Sequence, residues 1–381
     1  EITTRLVGSE MCIRDRLRWL FTMLLFVTTM IMPTMMLAKS IDLKIPEGDG
    51  AGTPYKIGTA EELYWFAGLV NGTLPGVKKD LSANAILTDD IIVNTGVLDP
   101  NKDLVSGNDF IEWIPIGKSS SDDDAYTGTF DGNGHTISGL YFNKSNSWYV
   151  GLFGCIGAEG KISNVGVSDS YFQSSNCPYI GGVCGSNSGE LQNCSNSSTV
   201  IGKENEYRIG GVCGYNYGGT IKSCYNTASV SGQSSVGGVS GSLGSDVTNC
   251  YYLSGTVADG KSGIGGQKDE NGKAEKMSLE QFKSGEVAWL LNGSKSVSTE
   301  ESTLAWYQKL DENADAYPVL KSTDHNMYIK HPSSLATGQP VLVNMQTNQK
   351  ATSCLTTIRW QKRLMKERQI FIARNALYAT M

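Results

Sequence analysis

Histidine is scarce in this chain, and its scarcity excludes several kinds of catalytic site. The sequence has only His135, His325 and His331. No H-E-x-x-H pattern can be written, so the helix of a zinc metalloprotease is excluded. A Ser/His/Asp triad would depend on His135, which lies in a G-N-G-H-T turn and is better explained as a structural residue. We therefore predict no catalytic residue, no metal site and no cofactor.

Charge is also sparse through the middle of the chain. Only ten of the 106 residues between 150 and 255 are charged. Residues 39–330 carry 21 Lys and Arg against 34 Asp and Glu, a net charge of −13, whereas residues 331–381 carry seven basic residues and one acid. The middle of the chain thus lacks the basic stripe that nucleic acid requires, and a nucleic acid partner is excluded.

Three further patterns are absent; two of these absences exclude classes of repeat fold, and the third argues against a zinc site. The repeats contain no run of ten residues with a period of 3.6, and they lack the leucine lattice of leucine-rich repeats. Helical arrays and leucine-rich solenoids are therefore excluded. No C-x-x-C pair occurs among the nine cysteines, which argues against a zinc site.

What the chain does contain is a pair of phrases that recur at one period. The first phrase is VGLFG, GGVCG, GGVCG and VGGVSG, and its aligned glycines are Gly151, Gly182, Gly211 and Gly238, at steps of 31, 29 and 27 residues. The second phrase follows at the same cadence, with key positions at Val165, Cys194, Cys224 and Cys250. Two unrelated phrases locked to one period of this length indicate a solenoid.

The residues of each repeat favour one kind of solenoid. Short runs with period-two alternation, such as TIKSCYNTASV, are divided by Gly, Asn and Ser. We therefore predict an all-β fold: a right-handed parallel β-helix with short capping helices at both ends, over residues 59–71 and 278–292. Stacked strands lie about 4.8 Å apart, so equivalent residues of neighbouring repeats should form ladders. The predicted ladders are Phe153, Cys184, Cys213 and Ser240; Val165, Cys194, Cys224 and Cys250; and Asn164, Asn193, Ser223 and Asn249.

Cysteine allows two interpretations. A secreted protein invites disulfides. However, the ladder cysteines occupy equivalent positions of successive turns, where small buried thiols explain the placement without any bond. In-register parallel neighbours also point their Cβ atoms the same way, which suits a disulfide dihedral poorly. The sequence favours reduced, buried thiols.

The repeat phrases carry a resemblance to a known family. GGVCGSNSGELQNCSNSSTV and GGVCGYNYGGTIKSCYNTASV resemble the GLUG motif of large bacterial surface proteins, among them adhesin-like proteins and metallo-IgA-proteases. The segment WIPIGKSSSDDDAYTGTFDGNGHTISGLYFN is similar to the first coil of such proteins in gut Bacteroidetes. The resemblance covers roughly residues 49–328 and implies a parallel β-helix at the cell surface. It implies no fixed activity, and this chain lacks the H-E-x-x-H helix of the proteases.

The chain divides into six predicted segments. Residues 1–16 contain GSEMCIRDR, which reads as translated adapter sequence rather than selected protein, and residues 14–38 read as a signal peptide, with a membrane anchor as the alternative. The remaining segments are an N-terminal cap with the first coils (49–142), GLUG-type repeats (143–265), a C-terminal cap (266–330) and a basic tail (331–381) that is either a helix or a frameshifted end.

A binding role is favoured over catalysis. Trp148, Tyr149, Tyr179 and Tyr207 precede successive glycine phrases and are the candidate ligand-binding residues, with ladder support of the coil as the alternative. We predict a secreted or cell-surface, monomeric, adhesin-like module on the extracellular face of the outer membrane, without a membrane span after signal cleavage. Its partner would be an extracellular glycan or a surface protein of host or bacterium. The alternative is a polysaccharide lyase or glycoside hydrolase, which would need carboxylates that converge on one face.

Overall fold

The computed structural model describes most of the chain between residues 39 and 320. The described residues are 39, 41–106, 109–119, 123–203, 208–242, 246–269, 272–294, 304–310 and 314–320, with the backbone of three short strands beyond residue 326. The predictions for residues 1–16 and 14–38 fall outside this part of the chain, as do Tyr207 and most of the 331–381 tail.

Short strands dominate the described chain. In chain order they are β1 (Tyr55–Ile57), β2 (Ala85–Leu87), β3 (Ile91–Ile92), β4 (Thr129–Asp131), β5 (Thr136–Ser138), β6 (Tyr141–Ser145), β7 (Tyr149–Val150), β8 (Phe153–Ile156), β9 (Lys161–Ser163), β10 (Gly166–Ser175), β11 (Tyr179–Gly181), β12 (Cys184–Asn187), β13 (Glu190–Gln192), β14 (Ser195–Lys203), β15 (Arg208–Gly210), β16 (Cys213–Asn216), β17 (Thr220–Lys222), β18 (Tyr225–Asn226), β19 (Val230–Ser231), β20 (Ser235–Ser240), β21 (Val247–Thr248), β22 (Cys250–Leu253), β23 (Ser262–Ile264) and β24 (Ala274–Met277).

These strands form three parallel sheets that run the length of a β-helix. The first sheet has the order β1-β2-β4-β9-β13-β17-β21, and the second has the order β3-β5-β10-β14-β18-β22-β24. The third sheet has two columns, β7-β11-β15 and β8-β12-β16, which join at β20. Neighbouring strands come from successive repeats and pair in parallel, as Lys161, Glu190 and Thr220 do. The predicted parallel β-helix is confirmed.

Helix α1 (Ala60–Asn71) closes the N-terminal end of the coil. The Thr59 hydroxyl accepts from the Glu62 amide at 3.3 Å, and Gly72 ends the helix in the left-handed region. The Phe66 ring packs edge-on against Tyr126, with centroids 6.1 Å apart, and Tyr126 in turn contacts Phe153 inside the coil. The apolar face of α1 is therefore continuous with the solenoid core.

The C-terminal helices cover the side of the last turns. The predicted single helix over 278–292 is two short ones, α2 (Leu279–Lys283) and α3 (Glu286–Leu291), because Gly285 adopts a φ of 82° between them. Phe282 and Trp306 both pack on Tyr225, at 5.7 and 5.1 Å between ring centroids. Tyr225 points outward, since its neighbours Cys224 and Asn226 line the interior, so this cluster covers the outer face of the second sheet.

Three pairs of strands beyond the coil are antiparallel. Trp306–Tyr307 (β25) pairs with Val319–Leu320 (β26). Met327–Ile329 (β27), Leu342–Asn344 (β28) and Gln349–Lys350 (β29) form a separate sheet. These strands do not continue the parallel stacking of the repeats.

A ladder of corner residues turns each coil between the first and second sheets. Asn164, Asn193 and Ser223 have φ of 53°, and Asn249 has φ of 51°. Asparagine tolerates this left-handed region better than most residues because its short amide can hydrogen-bond locally. The Asn193 amide also donates to Asn164 Oδ1 at 2.9 Å. The corner asparagines thus fix the turn and link one coil to the next.

Substitution of one corner asparagine should separate these two contributions. Asn193→Ala should lower the free energy of unfolding by about 1–3 kcal/mol. Alanine is strained at this φ, and the hydrogen bond from the Asn193 side chain to Asn164 is lost. Asn193→Gly should cost less, since glycine accepts the conformation and loses only the hydrogen bond. Denaturant unfolding of both variants measures the difference. Equal losses for Ala and Gly would show that backbone conformation is not what selects asparagine here.

Candidate binding surface

Direct backbone contact between glycines positions the surface that carries the aromatic candidates. A Cβ atom on Gly181 would lie 2.2 Å from the Cys184 carbonyl oxygen and 2.7 Å from the Gly214 amide nitrogen. A Cβ atom on Gly185 would lie 2.9 Å from the Cα of Tyr149. No side chain fits between the two columns of the third sheet at these points. We call this contact the glycine seam; it brings strands β7, β11 and β15 against β8, β12 and β16.

Stacked tyrosines lie on the outside of the glycine seam. Tyr149 and Tyr179 are in register on β7 and β11, and their rings stack with centroids 5.3 Å apart and an interplanar angle of 24°. Tyr179 stacks on Tyr215 of β16 at 5.3 Å and 19°. Tyr217 contacts the Tyr215 ring at 5.4 Å. The stacked rings of Tyr149, Tyr179 and Tyr215 form one row, which we call the tyrosine column, and Tyr217 lies beside it.

Arg208 extends the tyrosine column, although it is not among the binding residues predicted from the sequence. Arg208 is the residue in register with Tyr179, and Tyr207 lies outside the described residues. Its guanidinium carbon lies 4.2 Å from the Tyr215 ring centroid and 5.5 Å from that of Tyr179. The signal was present: Arg208 stands two residues before Gly210, as Tyr179 stands two residues before Gly181.

The exposed aromatic surface lies beside the stack rather than within it. Trp148 is 64% exposed and Tyr217 is 60% exposed. The stacked rings of Tyr149, Tyr179 and Tyr215 are each only partly exposed and turn their faces toward one another. The column therefore offers ring edges and hydroxyls along its length. Trp148 and Tyr217, which stand beside the column, offer exposed rings.

The cysteine ladders lie inside the coil. Phe153, Cys184 and Cys213 are paired in register, and Cys213 is paired with Ser240. Val165, Cys194, Cys224 and Cys250 are fully buried, one residue before the paired positions of the second sheet. The Cys194 amide donates to Cys224 Sγ at 3.3 Å. All seven described cysteines are buried and unbridged, whereas Cys12 and Cys354 lie outside the described residues.

Buried amides form a second set of interior ladders. Asn196 and Asn226 are both fully buried, and Asn196 Nδ2 donates to Asn226 Oδ1 at 2.9 Å. Asn187 and Asn216 make the same bond at 2.9 Å between their own coils. Because a one-coil mismatch would leave these amides unpaired in the core, the ladders specify which strands stack.

The described carboxylates are dispersed or paired rather than gathered. Asp169 forms an ion pair with Lys102 at 2.7 Å on the second sheet, and Glu190 lies on the first sheet between Lys161 and Thr220. His135 Nδ1 lies 3.6 Å from Asp90, which also accepts from the Thr136 amide. Within the described ranges, no three His, Cys, Asp or Glu residues are placed to hold a metal ion. Glu204 and Glu206 lie outside those ranges.

The described helices are short. The longest, α1, has 12 residues, and none in the described part of the chain is long and apolar enough to span a bilayer.

A family model and two curated proteins match parts of this chain. Residues 205–231 match the family described as the GLUG motif. Halomucin of Haloquadratum walsbyi is 38% identical over 84 residues, and a candidate Gly-rich membrane protein of Evansella cellulosilytica is 33% identical over 78 residues. These stretches are 22% and 20% of this chain, and they span 1% and 9% of the relatives' lengths.

One solved structure is also similar. It is described as a candidate immunoglobulin A1 protease from Bacteroides ovatus, with 17% identity and a TM-score of 0.41, covering 73% of this chain and 95% of that one. At this TM-score the likeness carries no argument about activity, and the fold here rests on the strand pairing described above.

Burial predicts that the ladder thiols are unreactive in the folded protein. Burial raises the pKa of the Cys194 and Cys250 thiols, because the thiolate would lose its hydration inside the coil. Because all seven described cysteines are buried, iodoacetamide should not reach them in the native protein at pH 8, and denaturant should expose all seven. Mass spectrometry of tryptic peptides gives the labelled sites. A peptide that links Cys184 to Cys213, or Cys194 to Cys224, in unreduced protein would contradict the reduced ladders.

Proposed function

Because the chain carries a GLUG motif within a parallel β-helix, we propose that it is a secreted or cell-surface module that binds a glycan without chemical turnover. The observation that carries the proposal is the tyrosine column with exposed Trp148 and Tyr217 beside it. The names of the relatives, a halomucin and a membrane protein, agree with a surface location.

The chemistry of the column favours a sugar over a protein. The core of a protein–protein interface is a contiguous, desolvated apolar patch within about 800 Å² per partner. Here two exposed aromatic rings stand among Ser, Asn and Gly, and the rings between them present hydroxyl edges. Tyrosine and tryptophan combine an apolar body with a polar group, which suits a ligand that has both C–H faces and hydroxyls.

The scaffold also favours binding because it holds the column rigid. Tyr179 stands on β11, which pairs with β7 and β15, and Tyr215 stands on β16, which pairs with β12 and β20. The rings of Tyr149, Tyr179 and Tyr215 are held by mutual stacking. A surface that is ordered before its ligand arrives loses little conformational entropy on binding. Residues presented by strands are also placed more accurately than residues on loops.

An array of glycans and host proteins tests the proposal. The full chain should bind at least one glycan class, and Trp148→Ala and Tyr217→Ala should each weaken binding about 2- to 10-fold, as expected for one aromatic contact. The control is Ile92→Ala, which removes another exposed apolar side chain, 62% exposed, from the second sheet.

Three results would contradict the proposal. They are retention of only a protein on the array, full glycan binding by both aromatic variants, and release of shortened sugar from the bound glycan. The last result would favour the polysaccharide-active enzyme that the sequence analysis left as its alternative.

A further inference from the structure

The guanidinium of Arg208 lies against the tyrosine column, and a neutral sugar has no charged group to pair with it. We infer that the ligand is a linear oligosaccharide that carries carboxylates, a uronate chain, and that Arg208 binds one of those carboxylates. This inference rests on the proposed glycan-binding function and adds the chemical class of the ligand.

Arg208 is held in one place by the aromatic rings around it. Its guanidinium lies over the Tyr215 ring at 4.2 Å, and its Nη1 lies 3.5 Å from the Tyr179 hydroxyl oxygen. Its amide donates to the Pro178 carbonyl at 2.9 Å, so the backbone beneath it is fixed as well. A guanidinium that is stacked in this way keeps its planar set of N–H donors at the edge, where a carboxylate can accept two of them.

No anion among the described residues uses this guanidinium. All six ion pairs of the described chain involve a lysine or His135, and none involves Arg208. The cation is nevertheless partly buried against two rings, where a carboxylate bond is stronger than in open water. A ligand carboxylate supplies the partner that the described structure does not.

The net charge of the protein makes this local cation decisive. The chain carries a formal charge of −6, and residues 39–330 carry −13, so the long-range field does not attract an acidic polymer. A carboxylate is bound here only if a specific group compensates for that field. Among the cation contacts described for the rings of the column, the basic residue is Arg208.

The axial arrangement of the column favours a chain over a single terminal sugar. Tyr149, Tyr179 and Arg208 occupy the same register position on three successive coils. Successive coils are about 4.8 Å apart, so these residues span roughly 10 Å along the axis. Trp148 adjoins Tyr149 at the end of this span away from Arg208. A linear oligosaccharide laid along the axis can therefore reach the Trp148 ring and the Arg208 guanidinium together.

Calorimetry with matched sugars tests the inference directly. The probes are an oligogalacturonate, the same oligomer with its carboxyls methyl-esterified, and a sialic-acid-terminated trisaccharide. The full chain should bind the oligogalacturonate at least about tenfold more tightly than the ester or the trisaccharide. Arg208→Gln should abolish this preference and leave ester binding unchanged. Arg208→Lys should retain only part of the preference, because a lysine ammonium cannot donate the two parallel N–H bonds that a guanidinium donates to a carboxylate.

The control for the Arg208 variants is a second cation on a different sheet. Lys222→Gln removes an exposed cation from the first sheet and should change nothing. A thermal melt shows that each variant remains folded, and Arg208→Lys keeps the cation on the ring if Arg208→Gln does not fold. Equal affinity for acid and ester, a preference for the trisaccharide, or full binding by Arg208→Gln would overturn the uronate inference. If the ester binds as well and Trp148→Ala weakens it, glycan binding stands without the carboxylate; if no sugar binds, both proposals fail.

Discussion

The structure depends on direct contact between backbones at the glycine seam. Gly181 and Gly185 stand where a Cβ atom would lie under 3 Å from the backbone across the seam. Because that contact must recur in every coil, glycines recur in every repeat, and the period of the sequence follows. The same contact brings the strands of Tyr179 and Tyr215 close enough for their rings to stack. Fold and candidate surface thus share one constraint.

Inside the seam, ladders convert a weakly apolar sequence into a core. Stacked thiols at Cys194, Cys224 and Cys250 fill the interior with small side chains, and the amides of Asn196 and Asn226 bond only in the correct register. Many of the outward positions are occupied by Ser, Asn, Thr and the tyrosine column, which is the surface that we propose as the binding site.

The sequence predicted the stacked positions of the repeats and the N-terminal helix, but it missed Arg208 and the packing of the C-terminal helices. Equivalent positions such as Cys184 and Cys213 could be read from spacing alone, because parallel stacking places them in register. The corner asparagines and helix α1 were also predictable, from left-handed turns and an apolar face beside a capping residue. Arg208 was missed because its neighbour Tyr207 is aromatic, as the other candidates are, and was chosen for its residue type. The spacing to the glycine phrase indicates Arg208 instead. The break between α2 and α3 follows from Gly285, a local feature, whereas the packing of these helices on the outer face of the second sheet depends on residues distant in sequence, such as Tyr225.

The measurement that tests this account most directly is the unfolding free energy of Gly181→Ala against Gly52→Ala. A Cβ on Gly181 meets backbone at 2.2 Å, whereas a Cβ on exposed Gly52 meets only the Asp49 side chain at 3.6 Å. The account predicts a loss of about 2 kcal/mol or more at Gly181, from forced separation of the two columns, and a change within about 0.5 kcal/mol at Gly52. Equal, small changes at both positions would show that the seam does not hold the repeats together.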